Sequence, residues 1–79
     1  YGKLGLYDQA VADFTEAIKL NPSCPLFYNN RGIIQTELEK YDKALADYTQ
    51  AIELEREFEL AINNREILMN KFQKIEHGL

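Results

Sequence analysis

The chain has little of what catalytic and metal sites usually need. Its 79 residues include one cysteine, one histidine, two prolines and no tryptophan. Cys24 cannot form an internal disulfide, and no histidine lies near it in the sequence. No glycine-rich phosphate loop and no metal-ligand cluster is present. The sequence therefore predicts a protein that is not an enzyme and that uses no metal and no cofactor.

Positive charge and long apolar runs are also scarce. Nine lysines and arginines stand against thirteen aspartates and glutamates, so the net charge is −4. Binding to a nucleic-acid backbone needs clustered basic residues, and we expect no nucleic-acid partner. No run approaches the roughly 18 to 20 apolar residues of a membrane span, so we expect no insertion into a membrane. A lone cysteine fits a reducing compartment, which predicts an intracellular and cytoplasmic protein.

An internal repeat is the most informative feature that the chain does have. Residues 7–20 return without a gap as residues 41–54, at a period of 34, and residues 1–24 share ten identities with residues 35–58. The register continues downstream, where the run Asn29-Asn30-Arg31 recurs as Asn63-Asn64-Arg65. A fixed period of this length is typical of stacked helix–turn–helix units.

Apolar spacing predicts the helices of this repeat. One helix should cover residues 8–20 and end at Asn21-Pro22, because proline lacks the backbone donor that would continue it. Further helices should cover about 25–38, 42–54 and 59–76. Residues 1–5 match the end of a preceding helix, so we expect a piece of a longer array. Arg56 replaces the second helix-ending proline; a continuous helix is an alternative there, but the surviving register favours a turn.

The chain resembles the tetratricopeptide-repeat family through Tyr28, Gly32, Pro22, Ala10-x3-Phe14 and Ala44-x3-Tyr48. The resemblance implies an all-α solenoid of antiparallel helix–turn–helix units in a right-handed superhelical stack. It divides the chain into a partial repeat (1–24) without most of its first helix, a complete repeat (25–58) and a degenerate or capping helix (59–79). It also implies a set of packing residues: Tyr7, Ala10, Phe14, Ala17, Gly32, Tyr41, Ala44, Tyr48 and Ala51.

Charged residues recur where the family usually has packed ones. The chain is similar to a tetratricopeptide subclass that reads Arg-Gly in the first helix and Asp-aromatic in the second. That layout implies structural ion pairs between helices, formed by Arg31, Asp47, Arg65 and Asp13. A role for the arginines in ligand binding is the alternative. Glu66 stands where the preceding unit has Gly32, which marks the last unit as degenerate.

The resemblance also indicates where a ligand would bind. In this family the exposed side of each first helix lines a concave groove. The predicted peptide-binding residues are Leu26, Asn29, Asn30, Ile33, Asn63, Asn64, Ile67 and Lys71. A side-chain amide both donates and accepts hydrogen bonds, so it can hold a peptide backbone. The alternative is that these asparagines are merely solvated residues on a helix face.

Three functional classes remain open at this point. The first is a protein–protein interaction scaffold that binds a peptide or partner helix on the concave surface. The second is an architectural spacer or self-association element, with homo-oligomers formed through the incomplete N-terminal repeat. The third is a co-chaperone for the acidic tail of a heat-shock protein, and Lys71 is the one clear groove cation that would serve it.

Overall fold

Four helices make up the described part of the chain. A computed structural model describes the backbone of residues 3–77 and the side chains of residues 5–71. The helices are α1 (Lys3–Leu20), α2 (Pro25–Glu37), α3 (Tyr41–Leu54) and α4 (Glu59–His77). Each helix packs against the next, and α2 also contacts α4. The predicted all-α solenoid is confirmed.

Local chemistry explains the corner between α1 and α2. α1 ends just before Asn21-Pro22, and Asn21 Oδ1 accepts a hydrogen bond from Ser23 N at 3.4 Å. Cys24 is the extended residue that precedes α2, and its side chain makes no capping hydrogen bond. Pro25 then takes the first helical position, where a missing N–H costs nothing.

Two backbone hydrogen bonds close the turn between α2 and α3. Lys40 N donates to Gln35 O at 2.8 Å, and Glu39 N donates to Thr36 O at 3.0 Å. This is the Schellman arrangement, which places the residue after the helix in a left-handed conformation. Glu39 accordingly has a φ of 61°. A side chain is strained there, since glycine alone adopts that conformation freely.

A turn also separates α3 from α4, as the register favoured. Glu55 is extended, with φ −142° and ψ 102°, and Phe58 N donates to Glu55 O at 3.1 Å. Arg56 lies in this turn, where the earlier copy has proline. The turn therefore forms without a proline, held by local backbone bonding and by the packing of α4 on α3.

The predicted break between a helix that ends near residue 5 and one that begins at residue 8 is wrong. α1 runs without a turn from Lys3 through Gly5 to Leu20, whereas Glu39, in register with Gly5, lies in the turn before α3. The turn before α3 folds α2 back on it, but in the described part of the chain α1 packs against α2 alone. Since no other described helix packs against this stretch, a continuous helix satisfies its local backbone groups. Tyr1 and Gly2 lie outside the described residues.

The buried core lies along α3. Ala44 and Ala51 are fully buried, Tyr48 is 3% exposed, and Leu68 of α4 is 1% exposed. The small side chains of Ala44 and Ala51 let the neighbouring helices approach α3 closely. The remaining predicted packing residues outside α2 are only half-buried: Tyr7, Ala10, Phe14, Ala17 and Tyr41.

Gly32 sets the approach of α2 to α3. A Cβ at this buried glycine would lie 2.7 Å from Tyr48 Cε1 and 2.9 Å from Tyr48 Cδ1. The ring has little freedom to move, because its hydroxyl lies 3.3 Å from Thr36 Oγ1. The Thr36 hydroxyl itself donates to Gly32 O at 2.9 Å, so Tyr48 is the donor to Thr36. The contact therefore requires glycine.

We expect Gly32→Ala to lower the free energy of unfolding by about 1 to 3 kcal/mol, because the added methyl group overpacks the contact with Tyr48. In an open helical position the same change would stabilise the chain by up to about 1 kcal/mol. Gly5→Ala, at an exposed position of α1, is the matched control and should be neutral or stabilising. Urea denaturation followed by circular dichroism measures both. Equal or greater stability of Gly32→Ala would contradict this account.

Alkaline pH should destabilise the fold through Tyr48. Burial raises the pKa of Tyr48 above its usual value. Tyrosine in the unfolded chain ionises near pH 10. The stability that comes from a neutral Tyr48 is therefore present below about pH 10 and is lost as the pH rises toward the higher folded pKa. Urea midpoints measured from pH 8 to pH 11 should fall less for Tyr48→Phe than for the natural chain; parallel falls would refute the assignment.

Candidate binding groove

A groove lies between α2 and α4, which contact each other directly. It holds a cavity of about 150 Å³. The cavity brings together side chains from three helices: Ile33, Thr36, Glu37, Tyr48, Asn64, Ile67, Leu68 and Lys71. Four of the residues predicted from sequence therefore share one cavity, namely Ile33, Asn64, Ile67 and Lys71.

Aliphatic side chains form the open apolar part of this groove. Ile33 is 38% exposed and Ile67 is 60% exposed. Leu26, one of the predicted residues, is also exposed on α2 but does not line the cavity. Leu68 and Tyr48 line the cavity although both are nearly fully buried. The cavity can thus accept an apolar side chain from a ligand.

The predicted asparagines fall into different environments. Asn29 is 1% exposed, and its Oδ1 accepts a hydrogen bond from Asn64 Nδ2 at 3.0 Å. Asn29 therefore joins α2 to α4, and its expected place among the ligand-facing residues does not fit the structure. Asn64 and Asn30 are half-buried and Asn63 is exposed. The two Asn-Asn pairs differ because the stacking of α4 on α2 covers the first asparagine of the earlier pair.

The groove carries one charge of each sign. Glu37 and Lys71 are both exposed and both line the cavity. Lys71 Nζ lies 6.0 Å from the centroid of the Tyr41 ring, close enough for a cation–π attraction that orients the lysine side chain. The charges balance locally, so the groove does not favour a ligand of strong net charge.

Four lining residues lie outside the predicted peptide-binding set: Thr36, Glu37, Tyr48 and Leu68. Helical spacing could have found Thr36, since it lies three residues after Ile33 and so on the same face. Tyr48 was assigned to packing alone, and its position at the back of the groove depends on how α3 lies against both α2 and α4. No pattern in the sequence marks Leu68 as a groove residue.

Arg31 joins three helices by hydrogen bonds. Its Nε donates to Asp47 Oδ2 and its Nη2 to Asp47 Oδ1, each at 2.7 Å. Its Nη1 donates to Thr15 Oγ1 at 3.1 Å, and Thr15 in turn donates to Val11 O. The hydrogen bond to Asp47 raises the pKa of Arg31 above its usual value. All three guanidinium nitrogens have acceptors within the chain, so the geometry supports a structural role for Arg31 over a ligand-binding one.

The other two residues of the expected ion pairs have no such partners in residues 5–71. Asp13 is exposed and accepts a hydrogen bond from Gln9 at 3.1 Å. Arg65 Nε is buried with no hydrogen-bond partner. The expected ion pairs of Asp13 and Arg65 are therefore not formed among residues 5–71. In the observed bridge the arginine precedes its aspartate by 16 positions. The position 16 residues before Asp13 and the position 16 residues after Arg65 both lie outside the 79 residues.

Among the described residues, no group of three or more His, Cys, Asp or Glu side chains could hold a metal ion. The described helices also include none that is long and apolar enough to cross a membrane.

Two family models match the chain. A family model described as Tetratricopeptide repeat matches residues 25–58, and one described as TPR repeat matches residues 1–38. Together the two matches span residues 1–58, more than half of the chain. Repeats of this kind generally mediate protein–protein interaction. No curated protein matches the chain.

We expect Arg31→Leu to lower the free energy of unfolding by about 2 to 4 kcal/mol, because it leaves the Asp47 carboxylate without its buried counter-charge. The two side chains are 19% and 8% exposed. Lys19→Leu is the control, since it removes an exposed pair with Glu16 and should cost no more than about 0.5 kcal/mol. Thermal and urea denaturation measure both. A melting temperature of Arg31→Leu at or above that of the natural chain would show that the bridge is dispensable.

Proposed function

The chain belongs to the tetratricopeptide-repeat family, and from that premise we propose that it is a non-catalytic scaffold that binds a peptide or partner helix in the groove between α2 and α4. The observation that carries the proposal is the cavity where Ile33, Ile67, Asn64 and Lys71 converge. Cys24 is a free, half-buried thiol, which favours a reducing intracellular location, and we place the protein in the cytoplasm.

The size of the cavity favours a protein ligand over a small molecule. Pockets for drug-sized molecules measure about 300 to 1,000 Å³, and this one measures about 150 Å³. A cavity of that size suits one apolar side chain of a larger ligand. The exposed Leu26, 45% exposed on α2, offers such a ligand apolar contact beyond the cavity.

Amide groups on the two helices supply hydrogen bonds to the same ligand. Asn64 donates one N–H to Asn29. Its side-chain carbonyl oxygen and its second N–H are left to form hydrogen bonds with a ligand. Asn30 and Asn63 form no side-chain hydrogen bond with the described residues and provide further donors and acceptors. Since an amide suits a peptide backbone of almost any sequence, the apolar cavity would select the side chain while the asparagines hold the main chain.

The charges of the groove argue against an acidic ligand such as a heat-shock protein tail. Lys71 is the one cation among the cavity residues, and Glu37 lies on the same cavity. A ligand rich in carboxylates would meet Glu37 without enough positive charge to compensate. We propose an uncharged or amphipathic ligand instead.

Selection from a library of random peptides displayed on phage tests this function. The strongest synthetic peptides should bind with a Kd below about 100 μM by fluorescence anisotropy. Ile67→Gln should weaken that binding at least about tenfold, because it puts an uncompensated polar group at the apolar cavity. Leu20→Gln, at a site 86% exposed on α1, is the matched control and should leave binding unchanged.

Asn30→Ala tests the amide contribution separately. We expect a loss of about threefold to tenfold in affinity, the value of one ordinary hydrogen bond. The groove proposal fails if no peptide is selected, or if the selected peptides bind Ile67→Gln and Asn30→Ala as tightly as the natural chain.

A further inference from the structure

We propose that copies of this chain associate head to tail, with α1 of one copy packed on α4 of the next and Asp13 of the first paired with Arg65 of the second. The occupant of each open helix face is thus a second copy of the same chain. The inference uses faces other than the binding groove and does not rest on the groove proposal.

The contact between α2 and α3 provides the template. In that contact Arg31 and Gly32 of α2 meet Asp47 and Tyr48 of α3. α1 repeats the sequence of α3 in register, and α4 repeats that of α2 through the run Asn63-Asn64-Arg65. Within the described residues, one copy therefore presents a helix of the α3 type at one end and a helix of the α2 type at the other.

Burial shows that the matching face of α1 is open. Ala44 and Ala51 are fully buried and Asp47 is 6% exposed. Their counterparts on α1 are nearly identical in sequence but less covered: Ala10 and Ala17 are half-buried and Asp13 is exposed. Among the described residues, the hydrogen-bond partner of Asp13 is the neutral amide of Gln9. α1 thus presents an acidic group on a face that, in α3, is covered by a helix.

The matching face of α4 lacks an acceptor. Arg65 Nε is buried without a hydrogen-bond partner, and a buried donor left in that state is costly. Its counterpart Arg31 Nε is satisfied by a carboxylate at 2.7 Å. Met69 adds apolar surface, since it is 46% exposed whereas its counterpart Gln35 is 6% exposed. An aspartate on an incoming helix would complete Arg65, and Asp13 is in the register to do so.

Glu66 limits the strength of this contact. It occupies the position of Gly32, where even a Cβ would come within 2.7 Å of the aromatic ring of the facing helix. Phe14, the counterpart of Tyr48, must therefore lie farther from α4 than Tyr48 lies from α2. The contact is weaker than the one inside the repeat, and removing the side chain of Glu66 should strengthen it.

The geometry also fixes the form of the assembly. Two different faces meet, so the contact is heterologous. Each assembly of several copies therefore keeps one free face of each kind, one at each of its ends. Association should therefore continue with rising concentration, without stopping at a dimer. A closed symmetric dimer would require the same face on both copies.

Analytical ultracentrifugation of the 79-residue chain, from about 10 μM to 1 mM, tests the proposal by mass action. We expect the mean mass to rise steadily with concentration. Asp13→Arg alone and Arg65→Asp alone should each weaken association at least about tenfold, because each brings like charges together at the contact. A 1:1 mixture of the two variants should restore it, since opposite charges then meet at every contact.

Matched variants separate this contact from general charge effects. Asp8→Arg changes an exposed aspartate of α1 whose counterpart Asp42 is also exposed, so association should be unchanged. Lys19→Glu makes the same change in net charge as Arg65→Asp, at an exposed site, and should also have no effect. Glu66→Gly should raise the association constant, and Ile67→Gln, which alters the groove, should leave it unchanged.

Circular dichroism melting must show that Asp13→Arg and Arg65→Asp are folded at the temperature of the experiment; Arg65→Glu replaces Arg65→Asp if that variant is not. A natural chain that stays monomeric to about 1 mM overturns the proposal. So does growth that stops at a dimer, or a mixture of the two charge variants that associates no better than either alone.

Discussion

The contact of α2 with α3 is the constraint on which the rest of the structure depends. At this contact Gly32 lies against the ring of Tyr48, and Arg31 holds both oxygens of Asp47. In a repeat protein each unit buries its apolar face only against its neighbours, so α3 provides most of the core residues. Because α2 and α4 both pack on α3, the position of α3 also sets the width of the groove between them. The groove is thus a consequence of core packing.

Neighbours decide what each copy of the repeat can do. α1 and α3 have closely similar sequences, yet Asp47 is paired and nearly buried while Asp13 is exposed. The two arginines differ in the same way: each guanidinium nitrogen of Arg31 has an acceptor, whereas Arg65 Nε has none. The two interaction surfaces that we propose for this chain therefore arise in different ways. The groove forms where two units meet, and the end faces remain where a unit has no neighbour in the described residues.

Sequence reasoning succeeded where a local rule or the repeat register was sufficient. Pro22 marked the end of α1, and the register indicated the turn near Arg56 without a proline. It failed where the outcome depends on contacts between units. The continuation of α1 through Gly5 goes with the absence of another described helix packed on that stretch, and the burial of Asn29 follows from its bond to Asn64 on the next unit. Neither outcome can be recognised from the sequence of one helix.

The sequence by itself determined the repeat, the four helices, the family and the residues able to pair as Arg31 and Asp47 do. The repeat and the helices follow from helical periodicity, proline chemistry and a period of 34, which are all local or regular along the chain, whereas the pairing of Arg31 with Asp47 was implied by the resemblance to a family. Only the tertiary structure decided which of the repeated side chains are buried, paired or open. Identical side chains at equivalent positions acquire different roles because burial and hydrogen bonding depend on the helices that surround them. That is why Asn29 holds two helices together, while Asn63, at the same position of the next unit, remains available to a ligand.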